Sequence, residues 1–174
     1  MAVYKYGSYE PIIGKDCYIS DSARVIGQVI LEENCYVGHG AIIRADHGLI
    51  SIGQGSAIEE NVVIHVRVDR KCILREQVTL GHGAIIHGDL IKAFAVIGMG
   101  AIVGRDTTVG RWSVVAEGAV VPTGEIVEDE TIVAGIPSKV IGKVNEKHKE
   151  YWRWAKQVYI DFALNYEKNL VKLY

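Results

Sequence analysis

Aliphatic residues recur at every sixth position along most of this chain. The period is unbroken in two blocks, at Ile13, Ile19, Val25, Leu31, Val37 and Ile43, then at Ile91, Ile97, Val103, Val109, Val115 and Val121. Four places after each aliphatic the residue is usually small, as at Cys17, Ala23, Val29, Cys35 and Ala41, then at Ala95, Ala101, Thr107, Ser113 and Ala119. One large and one small inward residue per six predicts short strands joined by tight corners.

Three such hexads would complete one triangular coil, so that eighteen residues return the chain above its starting point. Successive coils would lie about 4.8 Å apart and share backbone hydrogen bonds. The repeat resembles that of the hexapeptide-repeat proteins, whose fold is a left-handed parallel β-helix. Strand crossovers are normally right-handed. The left-handed sense is therefore implied only by the resemblance to this family. We therefore expect an all-β domain at residues 1–140.

The pattern changes after Pro137. Apolar residues then recur at three- and four-residue intervals, at Tyr151, Ala155, Val158, Tyr159, Phe162 and Tyr166. This spacing predicts an amphipathic helix over residues 145–170. We expect the helix to pack along the outside of the β-helix or on a neighbouring subunit, so that the 174 residues form one domain overall.

Composition and charge exclude several classes of partner. The formal net charge of −2 at pH 7 gives no electrostatic reason to bind nucleic acid or an anionic membrane. Charges and a proline interrupt the N-terminal stretch where a signal peptide would be apolar, and no run approaches membrane-spanning length. Three cysteines without CxxC spacing suit a reducing compartment. We expect a cytoplasmic protein with a small-molecule substrate.

Two of the cysteines have a spacing that matches the coil. Cys17 and Cys35 are eighteen residues apart, so they would occupy adjacent coils at one corner. This placement is close enough in principle for a disulfide. Their position in the column of small residues favours simple packing.

Two insertions break the six-residue count, and histidines lie beside them. Ile43 to Ile52 spans nine residues, and Ile64 to Leu74 spans ten. Because function often resides in loops that leave a rigid scaffold, both insertions are candidate functional loops.

Two histidines share one outward column of the predicted coil. His65 follows the inward Ile64 and His87 follows the inward Ile86, so both should point outward. They are 22 residues apart, which is one eighteen-residue coil plus the four-residue insertion. Arg44 precedes His65 by one coil plus the three-residue insertion. We therefore expect these three side chains to stack on successive rungs.

His82 belongs to a corner instead, five residues before His87. Five residues along a strand cover roughly 16 Å, whereas the ligands of one zinc ion must lie within about 4 Å of one another. One chain cannot therefore bring all three histidines to one metal ion. A homotrimer can, and we expect His82 to be contributed across a subunit interface.

The segments that carry the histidines resemble the metal signature of the gamma-class carbonic anhydrases. They are Asn61-Val62-Val63-Ile64-His65 and Gly81-His82-Gly83-Ala84-Ile85-Ile86-His87-Gly88, and the family's Arg-x-Asp has a counterpart in Arg44-Ala45-Asp46. The resemblance implies that His65 and His87 from one subunit, with His82 from its neighbour, bind Zn²⁺, for which Fe²⁺ or Co²⁺ could substitute. It implies reversible hydration of carbon dioxide to bicarbonate by a water whose pKa zinc lowers to about 7.

The sequence departs from that family where catalysis would be affected. The family usually has Gln six residues before the first histidine, where this chain has Glu59, whose carboxylate would repel bicarbonate. Ala57 stands where Asn is common, and the insertion at 66–71 is basic and lacks the family's proton-shuttling Glu. We therefore expect metal binding to survive these departures more readily than fast catalysis.

Four further residues are candidates for the catalytic site. Glu59 fits an ordinary solvated carboxylate as well as a site role. Arg44 and Asp46 face one side of a strand and can pair, either across a trimer interface or at the reaction centre. Tyr159 corresponds by resemblance to a helix tyrosine that approaches the metal pocket in the family, although packing alone would also explain it.

Two other functions stay open. A hexapeptide-repeat acyltransferase that uses a coenzyme A thioester would share the β-helix and need one histidine as general base. A non-catalytic, metal-binding trimeric scaffold would need the three histidines but neither Gln nor shuttle. The trio of histidines favours the metalloenzyme over both alternatives.

Overall fold

The computed structural model describes residues 3–173, in which twenty strands precede one helix. The strands are β1 (Val3–Tyr4), β2 (Ile12–Ile13), β3 (Tyr18–Ile19), β4 (Arg24–Leu31), β5 (Tyr36–Val37), β6 (Ile42–Ile52), β7 (Ala57–Ile58), β8 (Val63–His65), β9 (Lys71–Leu74), β10 (Thr79–Leu80), β11 (Ile85–Ile86), β12 (Leu90–Ile91), β13 (Val96–Ile97), β14 (Ile102–Val103), β15 (Thr108–Val109), β16 (Val114–Val115), β17 (Val120–Val121), β18 (Ile126–Val127), β19 (Thr131–Ala134) and β20 (Lys139–Lys143). The helix is α1 (Glu146–Asn169).

The strands stack in parallel to form three faces. The first face carries β8, β11, β14 and β17, the second carries β9, β12, β15 and β18, and β4 and β6 run across the corner between these two. The third face is an eight-stranded sheet that begins with β3 and ends with β20, which pairs antiparallel to β19. The predicted parallel β-helix of hexapeptide repeats with a C-terminal helix is confirmed.

The inward columns form the core. Val25, Val37, Ile43, Ile97 and Val115 each have 0% of their surface exposed. Full burial of such a side chain stabilises the fold by roughly 1.5–3 kcal/mol. The six-residue period therefore repeats one packing arrangement in coil after coil.

The first insertion forms no loop, although its position beside Arg44 made it a candidate functional loop. β6 continues from Ile42 to Ile52 and its side chains keep alternating between the core and the outside along most of this length. Gly27 of β4 has a φ of +81°, and a Cβ there would collide with the carbonyl oxygen of Ala45. This close approach lets both strands cross the corner together. The second insertion is a loop, at residues 66–70.

The helix begins with a capping box. The Asn145 side chain accepts a hydrogen bond from the His148 backbone N–H at 3.0 Å, and the His148 Nδ1 accepts one from the Asn145 N–H at 3.2 Å. These bonds satisfy donors that the first turn would otherwise leave unpaired. The helix packs on the third face, against β3, β5 and β7. Within residues 3–173, no helix is long and apolar enough to cross a membrane.

The buried face of α1 is rotated from the predicted one. Tyr151 and Phe162 are 57% and 41% exposed, whereas Lys156 is only 2% exposed. Tyr18 and Tyr36 already cover part of the third face and pack against the small Ala163. The surface under the helix therefore decides which side of it is buried, and the spacing of apolar residues alone could not supply that surface.

Candidate functional site

The structure brings His65 and His87 together. His65 ends β8 and His87 directly follows β11, and the register that pairs Ile64 with Ile86 places both imidazoles on the outside of the first face. The His65 Nδ1 lies 2.9 Å from the His87 Nε2. Arg44 pairs in register with His65, as the coil count predicts.

Arg44 and Asp46 surround this pair of imidazoles with opposite charges. Arg44 forms an ion pair with Asp46, whose Oδ1 lies 3.8 Å from the His65 Nε2. Burial would raise the pKa of Asp46, but the hydrogen bond and charge of Arg44 outweigh it and hold that pKa below its usual value. Asp46 is therefore a carboxylate at neutral pH.

Both imidazoles are held in the uncharged form at neutral pH. Burial lowers the pKa of His65, and the nearby Arg44 guanidinium lowers it further. Burial also lowers the pKa of His87, followed in size by the charges of Arg67 and Arg105. Neutral imidazole is the form that binds a metal ion, and in this structure the two imidazoles share a hydrogen bond at 2.9 Å.

Aspartates of neighbouring coils pair with the arginines of the insertion at 66–70. The Arg67 Nη2 lies 2.5 Å from the Asp106 Oδ1, and the Arg70 Nη2 lies 2.5 Å from the Asp89 Oδ2. These ion pairs tie the loop to the next coils. They also neutralise part of the positive charge that the sequence places beside the histidine pair.

His82 lies at the corner between the third and first faces, within reach of two carboxylates. Its Nδ1 is 2.7 Å from the Glu60 Oε2, and its Nε2 is 3.2 Å from the Glu59 Oε2. The Tyr36 hydroxyl donates a hydrogen bond to the Glu60 Oε1 at 2.9 Å, and so fixes that carboxylate. Tyr36 thus fixes Glu60, whose other carboxylate oxygen is in ion-pair contact with the His82 imidazole.

Glu59 is buried, not a solvated carboxylate. Its surface is 6% exposed, and it accepts a hydrogen bond from the His82 backbone N–H at 3.2 Å. Burial raises the pKa of Glu59, although the neighbouring Tyr159 hydroxyl and His82 oppose it. Burial and the Glu59 carboxylate also raise the pKa of Tyr159, which keeps its proton. The predicted site residues Glu59 and Tyr159 therefore lie together beside His82.

A pocket of about 350 Å³ opens beside His82, between the third face and α1. Its lining includes Glu59 and Thr79 from the β-helix, and Trp152 and Tyr159 from the helix. The volume and the apolar, aromatic walls are of the kind that bind small organic ligands. His82 and its neighbour Glu59 supply polar groups to the lining of this pocket.

One subunit does not assemble the three-histidine site. Among residues 3–173, no group of three or more His, Cys, Asp or Glu side chains is placed to hold a metal ion. His65 and His87 are together, but His82 contacts Glu59 and Glu60 at the opposite end of the first face. A three-histidine site would need His82 from another copy of the chain.

Sequence reasoning missed Glu60, Tyr36 and Lys156. The count that stacks His65 below His87 also stacks Glu60 below His82, since both pairs are 22 residues apart, so the contact could have been predicted. Lys156 lies on the helical face of Trp152 and Tyr159, where a charged residue is unusual. No sequence pattern singles out Tyr36, and only its contact with Glu60 in the structure identifies it.

The chain is similar to known hexapeptide-repeat proteins. A family profile described as "Bacterial transferase hexapeptide (six repeats)" matches residues 10–45. The carnitine operon protein CaiE from Salmonella newport is 28% identical over 164 residues, which cover 94% of this chain and 83% of that protein.

Two solved structures match nearly the whole chain. A proposed acetyltransferase from Bacillus cereus has a TM-score of 0.93 at 25% identity, and a hexapeptide transferase family protein from Anaplasma phagocytophilum has a TM-score of 0.89 at 27% identity. In both cases the match covers 97% of this chain and 98% of the other. Both structures have transferase names, and neither is named as a carbonic anhydrase.

Proposed function

We propose that this protein is an acyltransferase that moves an acyl group from a coenzyme A thioester to a small amine or alcohol. One observation carries the proposal: the His82 imidazole, whose Nδ1 lies 2.7 Å from the Glu60 Oε2, lines the pocket between the third face and α1. This arrangement lies within one subunit. The transferase names of the two similar structures support it.

The arrangement at His82 suits a general base. Tyr36 holds Glu60 beside the His82 Nδ1, so that a proton on Nδ1 would face this carboxylate and the Nε2 lone pair would be left to accept a proton. An amine or alcohol in the pocket would give its proton to Nε2 as it attacks the thioester carbonyl. The thiolate of coenzyme A then leaves and takes that proton. The contact between Nε2 and Glu59, at 3.2 Å, would be replaced by the acceptor.

The proposal is tested with acetyl coenzyme A and a panel of small amines and alcohols. Chromatography of released coenzyme A avoids interference from the protein's own thiols. We expect His82→Ala to lower the rate by about 10²–10⁴-fold, the usual contribution of a general base. Glu60→Gln should lower it less, because the imidazole keeps a hydrogen-bond partner. No release above the uncatalysed rate with any acceptor would refute the proposal.

Metal-dependent hydration of carbon dioxide is the second candidate, and the His65–His87 pair favours it. The two imidazoles lie close enough to become two ligands of a zinc ion after a small separation, and His82 of a neighbouring subunit would supply the third. Ile85 and Ile102 form an exposed apolar column beside this pair, 43% and 38% exposed, which another copy could cover. Zinc would supply the acidity that makes water a nucleophile at neutral pH.

His87→Ala separates the two candidates. The acyltransferase base does not contact His87, so this variant should keep acyl transfer, whereas a metal site would lose a ligand. Metal content by mass spectrometry and carbon dioxide hydration by stopped flow give the complementary readout. Bound metal that His82→Ala and His87→Ala both remove would support the trimeric site, and bound metal without hydration would favour the non-catalytic scaffold.

A further inference from the structure

Cys17 and Cys35 occupy the same inward position in two successive coils. Tyr18 and Tyr36, the residues that follow them, pair in register, so the two cysteines stack on adjacent rungs. Rungs of a β-sheet are about 4.8 Å apart, which lies within the Cα separations that a disulfide allows. In the reduced protein the Cys17 thiol donates a hydrogen bond to the Glu32 carbonyl oxygen at 2.9 Å, and the Cys35 thiol donates one to the Gly53 carbonyl oxygen at 3.4 Å. Both side chains would give up these bonds to form a covalent S–S bond, while the backbone spacing already allows it.

Cys17 is the accessible member of the pair. It is partly exposed and lines a pocket of about 500 Å³ between the first coils and the residues that follow α1. Cys35 is fully buried behind it and contacts the carbonyl oxygen of Gly53 at 3.4 Å. A small reagent that enters the pocket would therefore reach Cys17 before Cys35.

The two sulfurs differ in acidity in the same order. The neighbouring Cys35 thiol outweighs burial and lowers the pKa of Cys17 to about 7, so about half of it is thiolate at neutral pH. The neighbouring Cys17 sulfur, together with burial, raises the pKa of Cys35. Burial raises the pKa of Cys72, the third cysteine, to about 12. Cys72 is 1% exposed and has no stacked cysteine, so it serves as an internal control.

We propose that Cys17 and Cys35 form a peroxide-reactive dithiol site that closes to a disulfide between the first two coils. The Cys17 thiolate attacks one oxygen of hydrogen peroxide, an S–O bond forms, the O–O bond breaks, and hydroxide leaves and is protonated to water. The Cys35 sulfur then attacks the Cys17 sulfenic acid, an S–S bond forms, the S–O bond breaks, and a second water leaves with the Cys35 proton. Two thiols are oxidised and one peroxide is reduced to two waters.

The test is limited oxidation of the folded protein with hydrogen peroxide, followed by unfolding, alkylation and mass spectrometry. Of the three free thiols, we expect two to be lost, with a cross-linked peptide pair that contains Cys17 and Cys35. Dithiothreitol should restore all three thiols. Cys72→Ala should leave the cross-link unchanged.

Variants of the pair separate the two chemical steps. Cys35→Ala should fold, because Ala23 and Ala41 fill the corresponding small position elsewhere in the β-helix, and circular dichroism checks this. In that variant oxidation of Cys17 should stop at the sulfenic acid, which dimedone traps. Cys17→Ser should leave Cys35 unreacted.

Three outcomes would overturn the proposal. They are the survival of all three thiols, oxidation of Cys72 at the same rate as Cys17, and a cross-link that joins two subunits instead of two coils of one. Non-reducing electrophoresis identifies the last of these directly.

Discussion

Lys156 is a buried lysine of α1. We expect its replacement to change the free energy of unfolding in opposite directions at neutral and at alkaline pH. Its Nζ donates hydrogen bonds to the Thr79 Oγ1 at 2.9 Å and to the Ala95 carbonyl oxygen at 3.4 Å. Burial lowers the pKa of Lys156 from 10.5 to about 7, and the charge of Glu59 opposes this only in part. About half of the folded molecules have therefore lost this proton at pH 7.

The magnitude follows from the two pKa values. The difference between 10.5 and about 7 corresponds to about 5 kcal/mol of destabilisation, at ~1.4 kcal/mol per pKa unit. Between these values the unfolded chain binds more protons than the folded one, so stability rises with pH. The cost is present in full below about pH 7 and disappears as the pH approaches 10.5.

We expect Lys156→Met to stabilise the protein by about 2 kcal/mol at pH 7. The variant removes most of the ionisation cost but leaves the Thr79 hydroxyl and the Ala95 carbonyl without this donor, which costs roughly 1–3 kcal/mol. At pH 10 the ionisation cost has fallen below about 1 kcal/mol, so the loss of the two hydrogen bonds outweighs it and the variant should be less stable than the parent by about 1 kcal/mol.

Urea denaturation followed by tryptophan fluorescence, at one protein concentration and at pH 7 and 10, measures both values. Lys147→Met is the matched control, since Lys147 is an exposed lysine of the same helix, and it should show no reversal of sign. If Lys156→Met changes the free energy of unfolding equally at both pH values, the reasoning from a buried lysine with a lowered pKa is wrong.

Three further changes test the coil and the site. Gly27→Ala should destabilise the fold by at least about 3 kcal/mol, because the added Cβ would collide with the backbone of Ala45. The control Gly118→Ala should cost only about 1 kcal/mol, because Gly118 has a φ of +65° but open space around the added Cβ. Thermal denaturation compares the two variants. Ile64→Ala should cost roughly 2–5 kcal/mol in urea unfolding, through the cavity it leaves in the core. Tyr36→Phe should slow acyl transfer about fivefold, the equivalent of one lost hydrogen bond to Glu60, and an unchanged rate would remove Tyr36 from the proposed arrangement.

The sequence determined the coil because its signal is periodic and local. Ile43, Ile97 and Val115 are buried where the six-residue count places them, and the helix starts within one residue of the predicted boundary. A parallel β-helix repeats one backbone geometry, so the position of a residue in the six-residue period determines whether its side chain points inward or outward. The same arithmetic placed His65 beside His87 and would have placed Glu60 beside His82, had it been applied there.

Only the tertiary structure decided what surrounds those side chains. The burial of Lys156 and Glu59, and the pocket between α1 and the third face, depend on how the helix settles on Tyr18 and Tyr36. That contact joins segments more than a hundred residues apart, and no local pattern encodes its rotation. The first insertion became strand for a similar reason, since Gly27 admits the Ala45 carbonyl from the neighbouring coil. Periodicity fixes which way a side chain points, whereas long-range packing fixes what it meets and therefore its charge and chemistry.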